Sequence, residues 1–290
     1  MKELKITDVA GLIPERRIES NKGDYGRLLS VCGSRFYRGA AVLSSEAALR
    51  CGVGILRLAS IEKVCAAVAS SVPEATFLPL EESDDGSVLG FEAASVFESD
   101  PRISAVLCGC GLTVSVGARS AVLGIIESSP CTVVLDADAL NCLKSDPSVL
   151  RKAAVPPVIT PHWGEFSRLC GRPIPDVEKN AETLAKEFAA EYNCIVVLKS
   201  HYTVIADPSG ECFISRYGNA GLARGGSGDI LAGMIASFAA QGLSAIDAAK
   251  LGTALHGAAA DRCAARLGMT GMLPRDVIAD LTELLKEMRG

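Results

Sequence analysis

The sequence lacks the features that mark secreted, membrane-spanning and nucleic-acid-binding proteins. Its 11 cysteines are scattered and odd in number, and they include no Cys-x-x-Cys pair. No dense cluster of lysine and arginine occurs, and the net charge is −5. The longest uncharged run, residues 230–246, is shorter than the roughly 20 apolar residues of a membrane span. These absences predict a cytoplasmic protein that binds neither membranes nor nucleic acids.

Two common nucleotide-binding motifs are also missing. No Walker A sequence is present, and Gly109-Cys-Gly111 does not continue to the third glycine of the dinucleotide fingerprint. Only 3 histidines occur, and their spacing to the cysteines does not suggest a zinc site. Any nucleotide site in this chain must therefore be of another kind.

The sequence does contain short apolar runs that alternate with helix-like segments. With 290 residues, 49% of them hydrophobic, the chain can bury a large core. Alternation of this kind predicts one α/β domain over residues 1–290, with a largely parallel sheet and helices on both faces. Residues 1–21 are expected to be a polar leader that packs onto this domain. Strands are predicted at 26–33, 55–59, 75–80, 103–108, 132–135, 158–160 and 195–198, and a hairpin at 204–207 and 212–215.

Helices are predicted between these strands and at the end of the chain. The acidic tract at 81–86 is expected to be a solvated loop. Three helices broken near Gly242 and at 268–271 are expected after residue 230. The other predicted helices cover residues 40–50, 62–70, 115–128 and 176–192.

A glycine-rich stretch at 218–233 is where we expect the chemistry. A turn built of Gly225, Gly226 and Gly228 exposes backbone N–H groups. A helix starting near Ser227 or Asp229 adds the positive end of its dipole, so the stretch predicts a phosphate site. Asp229 would repel phosphate, and we expect it to accept a proton instead. The alternative is that Asp229 is only a helix N-cap and the glycines only a tight turn.

Polar residues follow the ends of successive predicted strands. In a parallel sheet these ends share one edge, where ligands bind, and Ser34, His162, Lys199 and Asp229 are expected to line it. Taken singly, Asp136 and Asp138 are more often helix caps than metal ligands. His256, on an alanine-rich helix, is expected to be a packed core histidine. The polar strand ends are Gly33-Ser34, 109–111, Asp136 with Asp138, 160–165, 199–203 and the 218–229 loop.

A series of motifs occurs in the order seen in the ADP- or ATP-dependent NAD(P)H-hydrate dehydratases, and the sequence resembles that family over residues 20–285. The resemblance implies a ribokinase-like fold. It also implies repair of the hydrated cofactors NADHX and NADPHX, in which ADP or ATP phosphorylates the added hydroxyl and elimination of phosphate restores NADH or NADPH. The motifs are Lys22-Gly-Asp-Tyr-Gly26, Gly33-Ser34, Gly39-Ala40, Gly109-x-Gly111-Leu, Asp136-Ala-Asp138-Ala-Leu140, Thr160-Pro-His-x-Gly-Glu165, Leu198-Lys199 and Gly225-Gly-Ser-Gly-Asp229-Ile-Leu-Ala-Gly233.

The resemblance also implies roles for individual residues and a homotetramer. Asp229 is expected to deprotonate the hydroxyl, while N–H groups of Gly226, Ser227 and Gly228 stabilise the transferred phosphoryl group. Glu165 is expected to orient Mg²⁺ on the donor phosphates through water. The hydrated dinucleotide is expected to contact Ala40, Gly111, His162 and Asp229. ADP or ATP is expected to contact Lys199, Ser200, His201, Tyr202, Thr203 and Gly228.

Four positions depart from the family pattern, and two other functions stay open. Ser200 follows Lys199 where the family has glycine, which leaves donor preference undecided. A vitamin-precursor kinase of the same fold, for a hydroxymethyl-pyrimidine or thiazole alcohol, is one alternative, although such kinases are not expected to carry both the Lys22–Gly26 motif and His162. A non-catalytic nucleotide sensor is the other, although a sensor does not need Asp229. The remaining departures are Asn21 for histidine, Thr113 for glycine and Ser227 for threonine.

Overall fold

A sheet of 11 strands runs through the computed structural model, which describes residues 1–289. Gly290, the last residue of the predicted domain, lies outside the described residues. The strand order is β1-β11-β10-β9-β8-β7-β6-β2-β3-β4-β5. The strands are β1 (Lys2–Glu3), β2 (Arg27–Val31), β3 (Ile55–Ile61), β4 (Thr76–Glu82), β5 (Val88–Leu89), β6 (Ala105–Cys108), β7 (Thr132–Leu135), β8 (Val158–Ile159), β9 (Ile195–Lys199), β10 (Thr203–Ala206) and β11 (Cys212–Ser215).

The sheet is largely parallel, as predicted. β10 is antiparallel to β9 and β11, and β5 is antiparallel to β4. All other strand pairs are parallel. Every residue of β6 and β7 is buried. Because successive side chains of a strand point to opposite faces, this burial means that both faces of the central sheet are covered.

Twelve α-helices are found within residues 1–289, and none of them is both long and apolar enough to cross a membrane. They are α1 (Ile6–Val9), α2 (Arg38–Arg50), α3 (Glu62–Ser71), α4 (Ala93–Ser99), α5 (Val116–Ser128), α6 (Asp138–Leu143), α7 (Trp163–Cys170), α8 (Ile174–Lys179), α9 (Ala181–Tyr192), α10 (Ser227–Ala240), α11 (Ala245–Leu267) and α12 (Pro274–Arg289). The last three confirm the predicted breaks near Gly242 and at 268–271.

Helix α10 lies at the centre of the molecule and packs against α2, α11, β6 and β7. All its residues from Ile230 to Ala240 are buried, as expected for a helix that is apolar on every side. A Cβ atom at Gly233 would lie 2.3 Å from the Ser44 carbonyl oxygen, and one at Gly252 would lie 2.6 Å from Ile235 Cγ1. These glycines therefore allow the close helix packing that fixes the N-terminus of α10.

Three segments differ from the sequence predictions. The helix predicted over 176–192 is two helices, α8 and α9, because Asn180 caps the first: its backbone and side-chain N–H groups both donate to the Asp176 carbonyl. The acidic tract at 81–86 is only partly a loop, since Glu82 belongs to β4 and pairs with Arg35 and Lys63. Within residues 1–21, β1 extends the sheet and Leu4 and Val9 are buried.

Candidate active site

Two adjoining cavities lie along the sheet edge where β6 to β9 end. The first cavity has a volume of about 680 Å³ and the second of about 800 Å³. Ala137, Gly225, Gly226 and Asp229 line both, so Asp229 lies where the two cavities meet. Ala137 was not predicted to be a site residue from the sequence. Its φ angle of 50° falls in a region that residues other than glycine rarely adopt.

The residues implied by the family resemblance divide between the two cavities. Ala40 and Gly111 line the first, together with Asp229. His162 lies in the second cavity, with the residues expected to contact the nucleotide, rather than beside Ala40 and Gly111. Tyr202 and Ser34 line neither cavity. The predicted residues in the second cavity are His162, Glu165, Lys199, Ser200, His201, Thr203, Gly226, Ser227, Gly228 and Asp229.

Ser34 is fully buried and lies behind Thr113. The Thr113 hydroxyl donates to Ser34 Oγ at 2.8 Å, and the Thr113 N–H donates to Asp138 Oδ2 at 2.9 Å. The φ angle of Thr113 is 69°, which explains why a glycine suits this position in the family pattern. These two hydrogen bonds hold the threonine in a conformation that its branched side chain disfavours.

The N-terminus of α10 carries unpaired backbone donors at the junction of the cavities. Gly226 is the N-cap, with a φ angle of 104° and no side-chain cap. A Cβ atom there would also lie 2.6 Å from Leu43 Cδ1, so the turn needs glycine. Within the described chain, the N–H groups of Gly226, Gly228 and Asp229 have no acceptor, whereas the Ser227 N–H donates to the Arg224 carbonyl at 3.4 Å. This arrangement suits an anion.

Asp229 is the third residue of α10, and its side chain forms no N-cap hydrogen bond, so the cap interpretation is wrong. Burial raises the pKa of Asp229 to about 6, and the negative charge of Asp136 adds to the increase. Candidate ligand atoms of Cys110, Asp136 and Asp229 all lie within 4.8 Å of one another. A carboxylate with a pKa near neutrality is suited to accept a proton from a bound substrate.

Asp136 anchors a buried ion pair beside Asp229. Its Oδ1 accepts hydrogen bonds from Lys199 Nζ at 2.8 Å and from Thr160 Oγ1 at 2.6 Å. Burial alone lowers the pKa of Lys199, but the charges of Asp136 and Glu165 outweigh it and raise the pKa above its ordinary value. A Cβ atom at Gly228 would lie 3.2 Å from Lys199 Nζ. Glycine at position 228 therefore leaves room beside the ammonium group.

The expectation that Asp136 and Asp138 cap a helix is wrong. Helix α6 has Ala137 as its N-cap and no side-chain cap hydrogen bond. Asp136 Oδ1 accepts from Lys199 Nζ and Thr160 Oγ1, and the two oxygens of Asp138 accept from the Thr113 N–H and from Asn141 Nδ2. Three of these four hydrogen bonds come from other strand ends, at Thr113, Thr160 and Lys199, and none caps a helix.

His162 and Glu165 form a capping box at the start of α7. His162 Nδ1 accepts from the N–H groups of Gly164 and Glu165 at 3.0 and 3.3 Å, and Glu165 Oε2 accepts from the His162 N–H at 2.9 Å. Burial and the charge of Lys199 lower the pKa of His162. Burial raises the pKa of Glu165 to about 6. The three-residue spacing of His162 and Glu165 in the sequence is a signal for this capping box.

His256 is buried, as predicted, but it lies on the wall of the second cavity rather than wholly within the core. Thr253, one turn earlier on α11, lines the same wall. Neither residue was identified as a site residue from the sequence. The alanine-rich pattern of α11 does not show which of its buried faces meets a cavity and which meets other side chains.

Comparisons with known proteins agree on one family. A family profile described as NAD(P)H-hydrate dehydratase matches residues 28–283. The ADP-dependent (S)-NAD(P)H-hydrate dehydratase of Xanthomonas campestris is 35% identical over 269 residues, which are 92% of this chain and 91% of that protein. The bifunctional NAD(P)H-hydrate repair enzyme Nnr of Thermofilum pendens is 34% identical over 96% of this chain. The chain spans 53% of that longer relative.

Solved structures show the same relationship. The ADP/ATP-dependent NAD(P)H-hydrate dehydratase of Bacillus subtilis, co-crystallised with ATP and Mg²⁺, has a TM-score of 0.84 and 30% sequence identity, covering 99% of this chain and 98% of that one. A ribokinase-like superfamily protein of Enterococcus faecalis has a TM-score of 0.85 at 27% identity, covering 99% of this chain and 96% of that one. The predicted ribokinase-like fold is thereby confirmed. The chain belongs to the NAD(P)H-hydrate dehydratase family.

Proposed function

We propose that this chain restores hydrated nicotinamide cofactors by nucleotide-dependent dehydration of (S)-NADHX and (S)-NADPHX. The observation that carries the proposal is the position of Asp229, a carboxylate with a raised pKa, between two cavities and beside the free N–H groups of α10. Such a junction brings a hydroxyl in one cavity to a phosphoryl group in the other. The names of the relatives agree with this reaction.

The second cavity is the proposed site of the phosphoryl donor, ADP or ATP. Its donors at Gly226 and Gly228 and the Lys199 ammonium favour phosphate, and the 199–203 loop contributes residues to its wall. In that loop the Ser200 hydroxyl donates to the Tyr202 carbonyl at 2.7 Å. The family departure at Ser200 therefore tightens the loop with an internal hydrogen bond.

The first cavity is the proposed site of the nicotinamide hydrate, with Ala40 and Gly111 on its wall. A Cβ atom at Gly111 would lie 2.8 Å from the Ala40 Cβ, so glycine keeps this wall open. His162, on the second cavity, contacts a more distant part of the dinucleotide in this proposal. The dinucleotide thus passes Asp229 and extends beyond the first cavity.

In the proposed reaction, the oxygen of the hydrate hydroxyl attacks the terminal phosphoryl group of the donor, and Asp229 accepts the hydroxyl proton. The N–H groups of Gly226 and Gly228 stabilise the negative charge on that group. Elimination then breaks the C–O bond, and phosphate leaves with the oxygen of the hydrate. Loss of a proton from the neighbouring carbon restores the double bond of the reduced nicotinamide.

The acidic side chains of the second cavity fit a hydrated Mg²⁺ ion. Glu165 Oε2 accepts a hydrogen bond from the His162 N–H, and Oε1 lies 3.5 Å from His162 Nε2. In this proposal Oε1 accepts a hydrogen bond from a metal-bound water. We propose that Glu165 holds Mg²⁺ in this indirect way. When bound, the ion would neutralise charge on the donor phosphates.

We also propose that the chain acts as one domain in a cytoplasmic homotetramer. All 11 cysteines are free, as expected in a reducing compartment. Phe36 and Tyr37, at the first cavity, are 70% and 57% exposed, and apolar side chains so exposed suit a subunit contact. Light scattering should give the mass of four chains, and a monomeric mass would contradict this assembly.

The proposed activity is tested by incubating the protein with Mg²⁺, NADHX and either ADP or ATP. Absorbance at the reduced-nicotinamide band should rise, and the active donor identifies the preference. If the chain is instead a vitamin-precursor kinase, absorbance should not rise, and ADP or ATP should be consumed when a hydroxymethyl-pyrimidine or thiazole alcohol is added. That alternative has only likeness of fold in its favour, since a hydroxyethylthiazole kinase of Pyrococcus horikoshii has a TM-score of 0.60 at 16% identity.

The pH dependence of the reaction should follow the ionisation of Asp229. Its pKa of about 6 means that the carboxylate is ionised above this pH and protonated below it. The rate should therefore fall about tenfold per pH unit below pH 6, because a protonated base cannot accept the hydroxyl proton. Glu165 also has a pKa of about 6, so Glu165→Gln is the control. If the fall in rate at low pH disappears in Glu165→Gln, the pH dependence comes from Glu165 and not from Asp229.

His162 should contribute to both helix capping and substrate binding. His162→Ala removes the acceptor for two N–H groups and should lower the free energy of unfolding by about 1 kcal/mol. His162→Asn retains a good cap but not the imidazole, so it should keep the stability and still raise KM for the hydrate. A normal KM in His162→Asn would restrict His162 to its capping role.

A further inference from the structure

Three polar side-chain atoms on one wall of the second cavity have no hydrogen-bond partner within the described residues. They are Ser227 Oγ, at the start of α10, and Thr253 Oγ1 and His256 Nε2 on α11. The exposed fractions of these three residues are 6%, 5% and 7%. A buried polar atom without a partner is costly, so such atoms are rare in native proteins. Three of them on one cavity wall, named here the polar wall, point to a ligand.

Packing around the polar wall gives it a defined shape. Thr253 and His256 are three residues apart and therefore share one face of α11. Gly257 follows on the same cavity, and a Cβ atom there would lie 2.6 Å from the Tyr217 carbonyl oxygen. Glycine at 257 thus lets the segment at 217–219 approach α11 and close the cavity beside the polar wall.

The polar wall carries no charge at neutral pH. Burial lowers the pKa of His256 to about 4, and the Lys199 charge acts in the same direction, whereas a hydrogen bond to the Ser227 backbone opposes them. The unpartnered Nε2 of the neutral imidazole can donate or accept one hydrogen bond, depending on its tautomer, and each of the two hydroxyls can do both. Phosphate has better partners in the same cavity, namely Lys199 and the free N–H groups of α10. The polar wall suits the uncharged, hydrogen-bonding part of a nucleotide.

We propose that Ser227, Thr253 and His256 hydrogen-bond the nucleoside of the phosphoryl donor and thereby position its phosphates at the N-terminus of α10. This inference rests on the proposed function, which places the donor in the second cavity. The nucleoside supplies suitable partners in its ribose hydroxyls and in the edge of its base. Contact at the polar wall makes these residues determinants of donor affinity, while proton transfer stays with Asp229.

Thr253→Val tests the proposal, because valine keeps the shape of threonine and replaces only the hydroxyl. Removal of a buried hydroxyl without a partner should keep or raise the melting temperature of the free protein. Loss of one hydrogen bond to the donor should weaken ATP binding in the presence of Mg²⁺ by about 3- to 10-fold, measured by calorimetry. Ser45→Ala is the matched control, since the Ser45 hydroxyl is also buried and unpartnered but lines neither cavity.

Donor analogues identify the part of the nucleoside that the polar wall contacts. If the contact is to ribose, 2′-deoxy- or 3′-deoxy-ATP should bind the parent and Thr253→Val equally. If the contact is to the base, inosine triphosphate or 7-deaza-ATP should bind the parent and Thr253→Val equally. His256→Leu provides the same comparison should Thr253→Val fail to fold. Unchanged ATP affinity in both variants, or a loss that persists with every analogue, overturns the inference alone. Absence of ATP and ADP binding in the parent overturns the proposed function as well.

Discussion

Asp229→Asn is expected to lower kcat by roughly 10²- to 10⁴-fold, the usual contribution of a general base. Asparagine keeps the size of the side chain but cannot accept the hydroxyl proton. The free N–H groups and the Lys199–Asp136 pair stay in place, so donor binding should be retained. Steady-state kinetics with NADHX and ATP measure the effect. A kcat within a few-fold of the parent would place proton abstraction elsewhere.

The same substitution should stabilise the protein at neutral pH. The pKa of Asp229 is raised from 3.8 to about 6, so the folded state favours the protonated form. The stability that this preference provides is complete below pH 3.8 and is lost as the pH rises through 6. At pH 8 the ionised carboxylate therefore opposes folding, and Asp229→Asn should raise the free energy of unfolding by about 1–3 kcal/mol.

Asp247 offers a matched control for both measurements. It is the third residue of α11, as Asp229 is of α10, and it lines neither cavity. Although burial opposes ionisation there, hydrogen bonds from Lys250 and Ser244 lower the pKa of Asp247. Asp247→Asn should therefore reduce stability and leave kcat unchanged. Equal changes in stability for the two variants would contradict the electrostatic account of Asp229.

Lys199→Met is expected to lower the free energy of unfolding by about 3–5 kcal/mol, because it leaves the Asp136 carboxylate buried without its cation. The side chains of Lys199 and Asp136 are only 19% and 3% exposed. The variant should also weaken donor binding by roughly 10- to 100-fold, through loss of a charged hydrogen bond to phosphate. Denaturant unfolding and calorimetric titration with ATP and Mg²⁺ measure the two effects.

The double variant Asp136→Asn/Lys199→Met separates the two roles of Lys199. Neutral asparagine no longer needs a cation and can still accept the hydrogen bond from Thr160. Much of the lost stability should therefore return, whereas donor affinity should stay low because the ammonium group is still missing. Recovery of donor affinity together with stability would show that Lys199 acts only through the fold.

The sequence predicted the sheet and the sheet edge because both depend on local patterns. Strands such as Thr132–Leu135 are continuous apolar runs, and the polar residues that follow them meet wherever parallel strands are neighbours. The glycine turn before α10 was predictable because the left-handed conformation at Gly226 favours glycine. From the sequence, Asp229 could be either a proton acceptor or a helix N-cap, and the structure places the N-cap at Gly226 instead.

Other features depend on packing between distant segments and could not be read from the sequence. Asp136 is held by Lys199, which lies 63 positions along the chain, so its local pattern suggested only a helix cap. The approach of the segment at 217–219 to α11 places Thr253 and His256 on a cavity wall. No periodicity within α11 distinguishes that wall from the core. The division of Ala40 and His162 between two cavities likewise follows from tertiary structure alone.

The fate of the hydroxyl oxygen tests most directly whether phosphorylation of the hydrate hydroxyl precedes its loss. NADHX labelled with ¹⁸O in this hydroxyl is incubated with the protein, Mg²⁺ and ATP, and the released phosphate is examined by mass spectrometry. We expect one labelled phosphate for each reduced nicotinamide formed, because cleavage of the C–O bond leaves the labelled oxygen bound to phosphorus. Unlabelled phosphate, with the label recovered in water, would contradict phosphorylation and show that dehydration and ATP hydrolysis are separate reactions.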